Sequence, residues 1–270
     1  MYWLYEIPTF SLALLFACIF VGFTWLGIIF LKPFLRLLLR SQVGLNDVVG
    51  YTFGAHRAFF GLLLGLLAVA AYQNLADVDR TVSREAGYLR SIYRAVTDYP
   101  EPLRSQTLPL IREYTRYLVE DAWPLQRRGV ITADGVARMN ALQTKLFSFE
   151  PQTKAQEIIH TQTMAQFFDM AEVRRARIQA VNAGVPMWYV VAIGLLITVT
   201  LVWMFDMRLV PHLLLGGVAA LFLSTVICLI VVMDKPLRGE SSISADGYKA
   251  VLDRMPAAAT TETSASSQTR

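Results

Sequence analysis

The side chains of this chain that are able to do chemistry are few and scattered. The histidines are His56, His160 and His212, and the cysteines are Cys18 and Cys228. The histidines lie in an apolar block, in a polar region and at a block edge, so their spacing favours neither a metal centre nor a His-based catalytic triad. Both cysteines lie inside apolar blocks, where such residues are typical small buried hydrophobes. We therefore expect a protein that is not an enzyme and that binds no cofactor and no metal.

The most suggestive polar residues are the neighbours His56 and Arg57, because they lie within an apolar block. The uninterrupted apolar run 58–72 covers only about 22 Å of helix, too little for a hydrocarbon core of about 30 Å. The helix must therefore extend back through 48–55, which draws both side chains into the membrane. Arg57 then either snorkels to the near interface or attracts an anion on a polar path. His56 either hydrogen-bonds a neighbouring helix or adds a charge to that path below about pH 6.5.

Small residues follow one face of the same predicted helix. They are Gly54, Ala58, Gly61, Gly65 and Ala68. At about 100° per residue, their steps of four and three place them in a single stripe. Such a stripe lets another helix approach closely, and that helix is either another span of the same chain or one from a second subunit.

An apolar ridge flanks this stripe on the side of Arg57. It consists of Phe53, Phe60 and Leu64. A ridge of this kind either faces lipid or lines a hydrophobic constriction that gates by dewetting, and the periodicity does not choose between the two. The candidate pore residues are His56, Arg57, Phe60 and Leu64.

Four long apolar blocks must position these side chains. They cover residues 7–31, 48–72, 185–205 and 210–233, and they raise the apolar fraction of the chain to 54%. Each is long enough to cross the membrane as a helix of about 20 residues. The first has no basic residue before it and no small-residue cleavage site after it, so we expect a retained span rather than a signal peptide. The sequence therefore predicts an integral, multi-pass membrane protein whose partner is the lipid bilayer.

The basic residues lie outside these blocks and give the chain a net charge of +4. Many of them flank the blocks, where anionic headgroups hold them, so we expect no nucleic-acid partner. The Arg-bearing apolar stretch 34–40, which follows the first block, is expected to be an interfacial helix.

Residues 73–183, between the second and third blocks, are charged and helix-patterned. The second span is expected to continue beyond Tyr72 as a protruding helix, because three and four spacing persists and no Gly-Pro signal precedes Pro100. The further predicted helices are 103–123, 132–149 and 153–182. The protruding helix and these three amphipathic helices together indicate a four-helix bundle connected to the second and third spans.

Individual side chains in this region have predicted local roles. Thr132 and Thr153 precede helices and are expected to be N-caps. Glu85 falls at a core-phased position, where a carboxylate usually pairs with an Arg of a neighbouring helix, such as Arg112 or Arg116.

Together these patterns predict an all-α fold with four transmembrane helices in two pairs and an extramembrane four-helix bundle inserted between the second and third spans. The third and fourth spans form a hairpin, whose turn is anchored by Asp206, Arg208 and His212. The expected segments are the first transmembrane pair with its linker (1–72), the bundle (73–183), the second transmembrane hairpin (184–233), a post-membrane segment (234–255) and a disordered tail (256–270).

Several short motifs occur in a fixed order along the chain. They are Asn46-Asp47-Val48-Val49-Gly50, Tyr72-Gln73-Asn74, Ser83-Arg84-Glu85-Ala86, Trp123-Pro124 and Asp234-Lys235-Pro236-Leu237-Arg238-Gly239-Glu240. In these motifs the chain resembles, over residues 1–250, bacterial membrane proteins with a bestrophin-like domain, a family of unknown function. The motif residues of interest are Asn46, Asp47, Gly50, Glu85, Trp123, Pro124, Asp234, Pro236 and Gly239. The family implies a bacterial inner membrane location.

A more distant resemblance connects the chain to the bestrophins, which are pentameric, calcium-regulated anion channels. In bestrophins an Asn-Pro-Phe-Gly-Glu stretch is followed by an acidic run, and Pro236, Gly239 and Glu240 match part of that stretch. Ser241 and the residues after it replace the acidic run. A calcium site would lack its oxygen ligands, so the resemblance does not extend to calcium regulation.

The resemblance implies an oligomeric ion channel or pore, selective for anions, in which the second span lines the path and the bundle supports or gates it. The alternative is a membrane-embedded sensor or signalling partner that acts through its bundle. The basic flanks, counted together, favour a cytoplasmic bundle, although the flanks of the first span alone favour the opposite orientation.

Overall fold

The computed structural model describes residues 7–39, 44–182, 184, 188–239 and 242–255. All regular secondary structure in these ranges is helical, which confirms the all-α class. The helices are α1 (Thr9–Leu26), α2 (Lys32–Leu39), α3 (Leu45–Thr97), α4 (Leu103–Tyr117), α5 (Trp123–Arg127), α6 (Asp134–Phe147), α7 (Lys154–Ala180), α8 (Trp188–Met204), α9 (Leu209–Asp234) and α10 (Asp246–Leu252). The predicted tail 256–270 and Glu240 lie outside the described residues.

Two π-helical turns connect helices without a loop. One, Gly27–Leu31, joins α1 to α2, and the other, Leu118–Ala122, joins α4 to α5. Each adds one residue to the turn, which changes the direction in which every later side chain of the helix points. Gly27, the first residue of the first of these turns, has no room for a side chain, because the Trp203 ring occupies the space that a Cβ would need.

Helix α3 is the longest element, with 53 residues from Leu45 to Thr97. It confirms that the second apolar block continues into the polar region without a break. It ends shortly before Pro100, as expected from the restriction that a proline places on the residue before it. An uninterrupted helix of this length is about 80 Å long.

In the part of the chain that the structure describes, three helical stretches are able to cross a membrane by length and composition: Thr9–Leu35, Leu45–Thr97 and Leu209–Asp234. The predicted third span corresponds to the apolar helix α8, which is shorter, with 17 residues. The chain between α8 and α9 is short, as expected for the predicted hairpin.

The chain divides into two compact units. The first unit is formed by residues 1–79 and 179–243, and the second by residues 80–178 and 244–270.

In the first unit, α1 packs along α9. One face of α3 packs against α8 and α9 in a core made of Phe60, Leu64, Leu67, Ala71, Val191, Ile227, Ile230 and Val231. A smaller cluster joins Ile28, Val199 and Trp203.

In the second unit, α4 packs against α6 and α10. Its most buried apolar side chains include Leu89, Ile92, Ile111, Leu118, Leu142, Leu146, Phe167 and Met170. One predicted cap is confirmed, because the Thr153 hydroxyl accepts a hydrogen bond from the Gln156 amide at 3.2 Å. The other is wrong: α6 begins after Ala133 without a side-chain cap, and the Thr132 hydroxyl instead lies 2.6 Å from the Tyr117 hydroxyl.

Candidate functional site

The predicted apolar ridge of α3 lies in the core of the first unit. Phe60 is 7% exposed and Leu64 is 4% exposed. The Phe60 ring fills the space beside Gly194 of α8, where any Cβ would overlap it. Phe53, half-buried, meets the Phe205 ring edge-on at 5.9 Å. In the single chain, Phe60 and Leu64 are therefore packing residues of the first unit, and their predicted role in a constriction stays a prediction.

His56 belongs to the same packed face. Its Nε2 lies 2.9 Å from Thr198 Oγ1 and 3.2 Å from the Gly194 carbonyl oxygen, both on α8. Its ring stacks on Phe60 with centroids 5.4 Å apart. Of the two interpretations of His56, the structure therefore supports a hydrogen bond to a neighbouring helix. α8 satisfies this polar group, and the pair fixes the rotation of α3 against α8.

Arg57 is the exposed member of the pair. At about 100° per residue it lies about 60° around α3 from Phe60, on the side of the small-residue stripe. No hydrogen bond or ion pair joins its guanidinium to another side chain in the part of the chain that the structure describes. Arg57 is thus a basic side chain in an apolar stretch without an ion-pair partner among the described residues.

The small-residue stripe is largely uncovered. A Cβ placed on Gly54, Gly61 or Gly65 would meet no atom of the described residues within 4 Å. Ala58 is exposed, whereas Ala68 packs at the edge of the core. Among the described residues, no helix of the same chain therefore covers the stripe at these glycines.

The first family motif ties the start of α3 to the turn between α8 and α9. The Asn46 side-chain amide donates to the Asp206 carbonyl at 2.8 Å, and the Asp206 amide donates back to Asn46 Oδ1 at 2.8 Å. Asp47 lies in the first turn of α3, where a carboxylate is favoured by the helix dipole. Gly50 is half-buried and has open space around it.

The last family motif, after α9, clasps the chain near the end of α7. Lys235 Nζ donates to the Asn182 carbonyl at 3.1 Å, and Arg238 Nη2 donates to Asn182 Oδ1 at 3.1 Å. The Pro236 carbonyl accepts from the Ile243 amide at 2.9 Å, and Asp234 is buried. Gly239 has φ +85°, a conformation that explains a glycine there.

The buried charges of the second unit gather around Glu85, which is 0% exposed. Arg177, 1% exposed, donates to both carboxylate oxygens, from Nε at 2.6 Å and from Nη2 at 3.1 Å. The Tyr248 hydroxyl donates to Oε2 at 2.9 Å, and the Tyr114 hydroxyl approaches Oε1 at 3.4 Å. Arg177 also donates to the Gln126 side-chain oxygen. We call these five residues the Glu85 network.

The network corrects the predicted partner of Glu85. Arg116 is exposed, and Arg112 donates to the Met255 carbonyl instead. The signal for Arg177 is present in the sequence but weak: it follows Met170 by seven residues, so it lies on the same buried helical face. Trp123 of the family motif contributes to the site, since its ring lies 5.6 Å from that of Tyr248 and 5.9 Å from the Arg177 guanidinium. Its neighbour Pro124 lies in the first turn of α5.

Electrostatics in the network follow from burial and from the shared carboxylate. Burial raises the pKa of Tyr114 and of Tyr248, and the nearby Glu85 carboxylate raises both further. Burial lowers the pKa of Arg177, but Glu85 together with Tyr248 and Tyr114 more than reverses this, and the net shift of the pKa is upward. The network is therefore a neutral unit of one ion pair with protonated phenols.

Comparison with known proteins identifies the class to which this fold and these motifs belong. A sequence profile of the bestrophin-like domain matches residues 18–248, so the chain belongs to the bestrophin-like family. This confirms the resemblance found in the motifs. No curated protein matches the chain in sequence.

Solved structures share the fold at low sequence identity. Two single-substitution forms of a bacterial bestrophin homologue from Klebsiella pneumoniae each match at 13% identity and a TM-score of 0.57. They cover 89% and 90% of this chain, and the match covers 96% and 97% of theirs. A structure described as a membrane protein matches at 11% identity and a TM-score of 0.56, over 86% of this chain and 96% of the other.

Proposed function

We propose that the protein is an oligomeric anion channel of a bacterial inner membrane. In this proposal α1, α3, α8 and α9 are the four membrane spans, and a bundle formed by the second unit lies outside the bilayer. The α3 helices of several subunits surround the path. Membership of the bestrophin-like family and the fold shared with a bacterial bestrophin homologue support this assignment.

The observation that carries the proposal is the division of α3 into two faces. Phe60 and Leu64 are used in packing within the chain, whereas the described residues leave Arg57 and the adjacent glycines uncovered. Close approach of α3 helices from neighbouring subunits would cover the glycines and would bring several Arg57 side chains near one axis. A ring of guanidinium groups attracts anions and repels cations. The proposal keeps Arg57 as the pore candidate and assigns His56, Phe60 and Leu64 to its support.

The test is ion flux through the full-length protein reconstituted into liposomes. We expect chloride flux above that of empty vesicles, and Arg57→Gln should lower the preference for chloride over potassium about fivefold. This is the effect of removing about 1 kcal/mol of attraction from one charge near the path. Arg90→Gln is the matched control, because it makes the same exchange at an exposed position of the same helix.

The outcomes separate the two functions considered from the sequence. Flux that Arg57→Gln changes and Arg90→Gln leaves unchanged supports the channel. An assembled, inserted protein that conducts neither ion contradicts it and leaves the sensor as the better hypothesis. If both variants show the same chloride and potassium flux as the parent, the ion path does not pass Arg57.

A further inference from the structure

A lysine and a histidine join the first span to the turn between α8 and α9. Lys32 Nζ donates to the Met207 carbonyl at 2.7 Å and lies 3.0 Å from His212 Nδ1. The other ring nitrogen, His212 Nε2, lies 2.9 Å from the Val202 carbonyl oxygen. His212 is 2% exposed, so both of its nitrogens find their partners within the protein.

These partners determine the protonation state of the ring. The Val202 carbonyl is only able to accept, so Nε2 carries the hydrogen. The Lys32 ammonium is only able to donate, so Nδ1 must offer its lone pair. The arrangement therefore requires a neutral imidazole with the hydrogen on Nε2, and a second proton on Nδ1 is incompatible with the contact to Lys32.

The π-helical turn Gly27–Leu31 directs Lys32 toward His212. In a regular helix of about 100° per residue, Lys32 would lie about 80° around the axis from the buried Thr24. The extra residue of the π turn shifts it back by about 100°, to within about 20° of Thr24. Lys32 therefore lies on the face that packs inside the first unit, and this contact is a built feature rather than a chance approach of a long side chain.

Two charged groups act on His212. Besides burial, which disfavours a charged ring, and the Val202 carbonyl, which favours one, Lys32 disfavours a charged ring and Asp206, in the adjacent turn, favours one. A protonated His212 would therefore be repelled by Lys32 and attracted by Asp206. The Asp206 backbone is already bonded to Asn46, so a shift of this turn also acts on the start of α3.

We propose that Lys32 and His212 form a proton-sensitive lock, which holds the start of α2 to the α8–α9 turn while the imidazole is neutral and releases it when Nδ1 is protonated. The site binds a proton, and protonation increases the mobility of the α8–α9 turn. The lock does not require that the chain conduct ions, so its failure and that of the channel are separate results.

Hydrogen exchange of the full-length protein in detergent tests the lock directly. After correction for the intrinsic pH dependence of exchange, the backbone amides of residues 205–210, 212 and 213 should exchange about tenfold faster at pH 5 than at pH 7.5. The loss of one hydrogen bond to a charged group has about this effect. Amides of residues 85–96 report whether the second unit remains folded in the same samples.

His212→Gln is the matched variant, because its amide nitrogen donates to the Val202 carbonyl and its oxygen accepts from Lys32, but it does not titrate. It should keep slow exchange at both pH values. Lys32→Met should give fast exchange at both. Equal exchange of the parent at pH 5 and pH 7.5 would overturn the lock, and so would a His212→Gln variant that still responds to pH.

Discussion

Glu85 and Arg177 illustrate what a fully buried ion pair demands of its neighbours. Desolvation of two charges is repaid only when their remaining hydrogen-bonding groups are satisfied as well. Here Tyr248, Tyr114 and Gln126 supply those partners. The network is thus a set of mutually dependent side chains, in which the removal of Glu85 or of Arg177 leaves the other charged and unpaired.

Arg177→Met should lower the free energy of opening of the second unit by about 3–5 kcal/mol, because it leaves the Glu85 carboxylate buried without its cation. The measurement is native-state hydrogen exchange at the Leu89 and Ile92 amides in the full-length protein. Arg175→Met, an exposed neighbour on the same helix, should change it by less than about 0.5 kcal/mol.

A double variant sharpens this test. Replacing Glu85 by Met in the Arg177→Met background removes the orphaned charge, so it should restore part of the lost stability. Equal effects of the Arg177 and Arg175 exchanges would contradict the role assigned to the pair.

Sequence reasoning at this scale finds polar residues that need a partner but not the partner itself. The phase of Glu85 on its helix is enough to predict burial with an arginine. Which arginine depends on the relative rotation of α3 and α7, and that rotation is set by the whole core. The same limit applies to His212, for which the sequence predicts only an anchor of the turn. Its pairing with Lys32 depends on a π turn that no local sequence pattern predicts.

At the scale of single helices, α3 shows how far periodicity reaches. Its continuity to Thr97 follows from unbroken spacing and the absence of a stop signal. Periodicity also separates the two faces of the helix: one carries large apolar side chains and the other carries small residues. What covers each face is a tertiary matter, and here the large residues meet α8 and α9 while the glycines remain open.

Gly61→Leu should weaken association of the proposed oligomer about tenfold, because overpacking at a close helix contact costs about 1–3 kcal/mol. The fold of the single chain should not change, since a Cβ at Gly61 meets no neighbour within 4 Å. Subunit number measured by native mass spectrometry over a range of concentrations reports the effect.

Gly22→Leu on α1 is the control for this exchange, because Gly22 is equally open in the single chain. It should leave association unchanged. If Gly61→Leu associates like the parent and like Gly22→Leu, the stripe does not lie between subunits.

At the scale of the whole molecule, the chain returns to the second unit after its last apolar helix. Residues 244 onward belong to that unit, and α10 delivers Tyr248, which is fully buried, to Glu85. The second unit is therefore assembled from two distant parts of the sequence, and its core is complete only after the last span has been made.

A chain that ends after Ile243 should lose the protection of the Leu89 and Ile92 amides by about a hundredfold, because the Glu85 network loses Tyr248 and opens to water. The amides of α1 and α9 should keep their exchange rates. The control ends after Met255 and so keeps α10 whole. Unchanged protection in the shorter chain would show that α10 is dispensable for this unit.

The π turn Leu118–Ala122 makes this stretch sensitive to the deletion of a single residue. Deleting one of its five residues would restore a regular helix and would look, in any alignment, like a harmless one-position gap. Every later side chain of that helix would nevertheless rotate by about 100°, so Gln126 would leave the Glu85 network and Trp123 would lose its contacts with Tyr248 and Arg177. In this stretch the number of residues is therefore a stricter constraint than their chemical type.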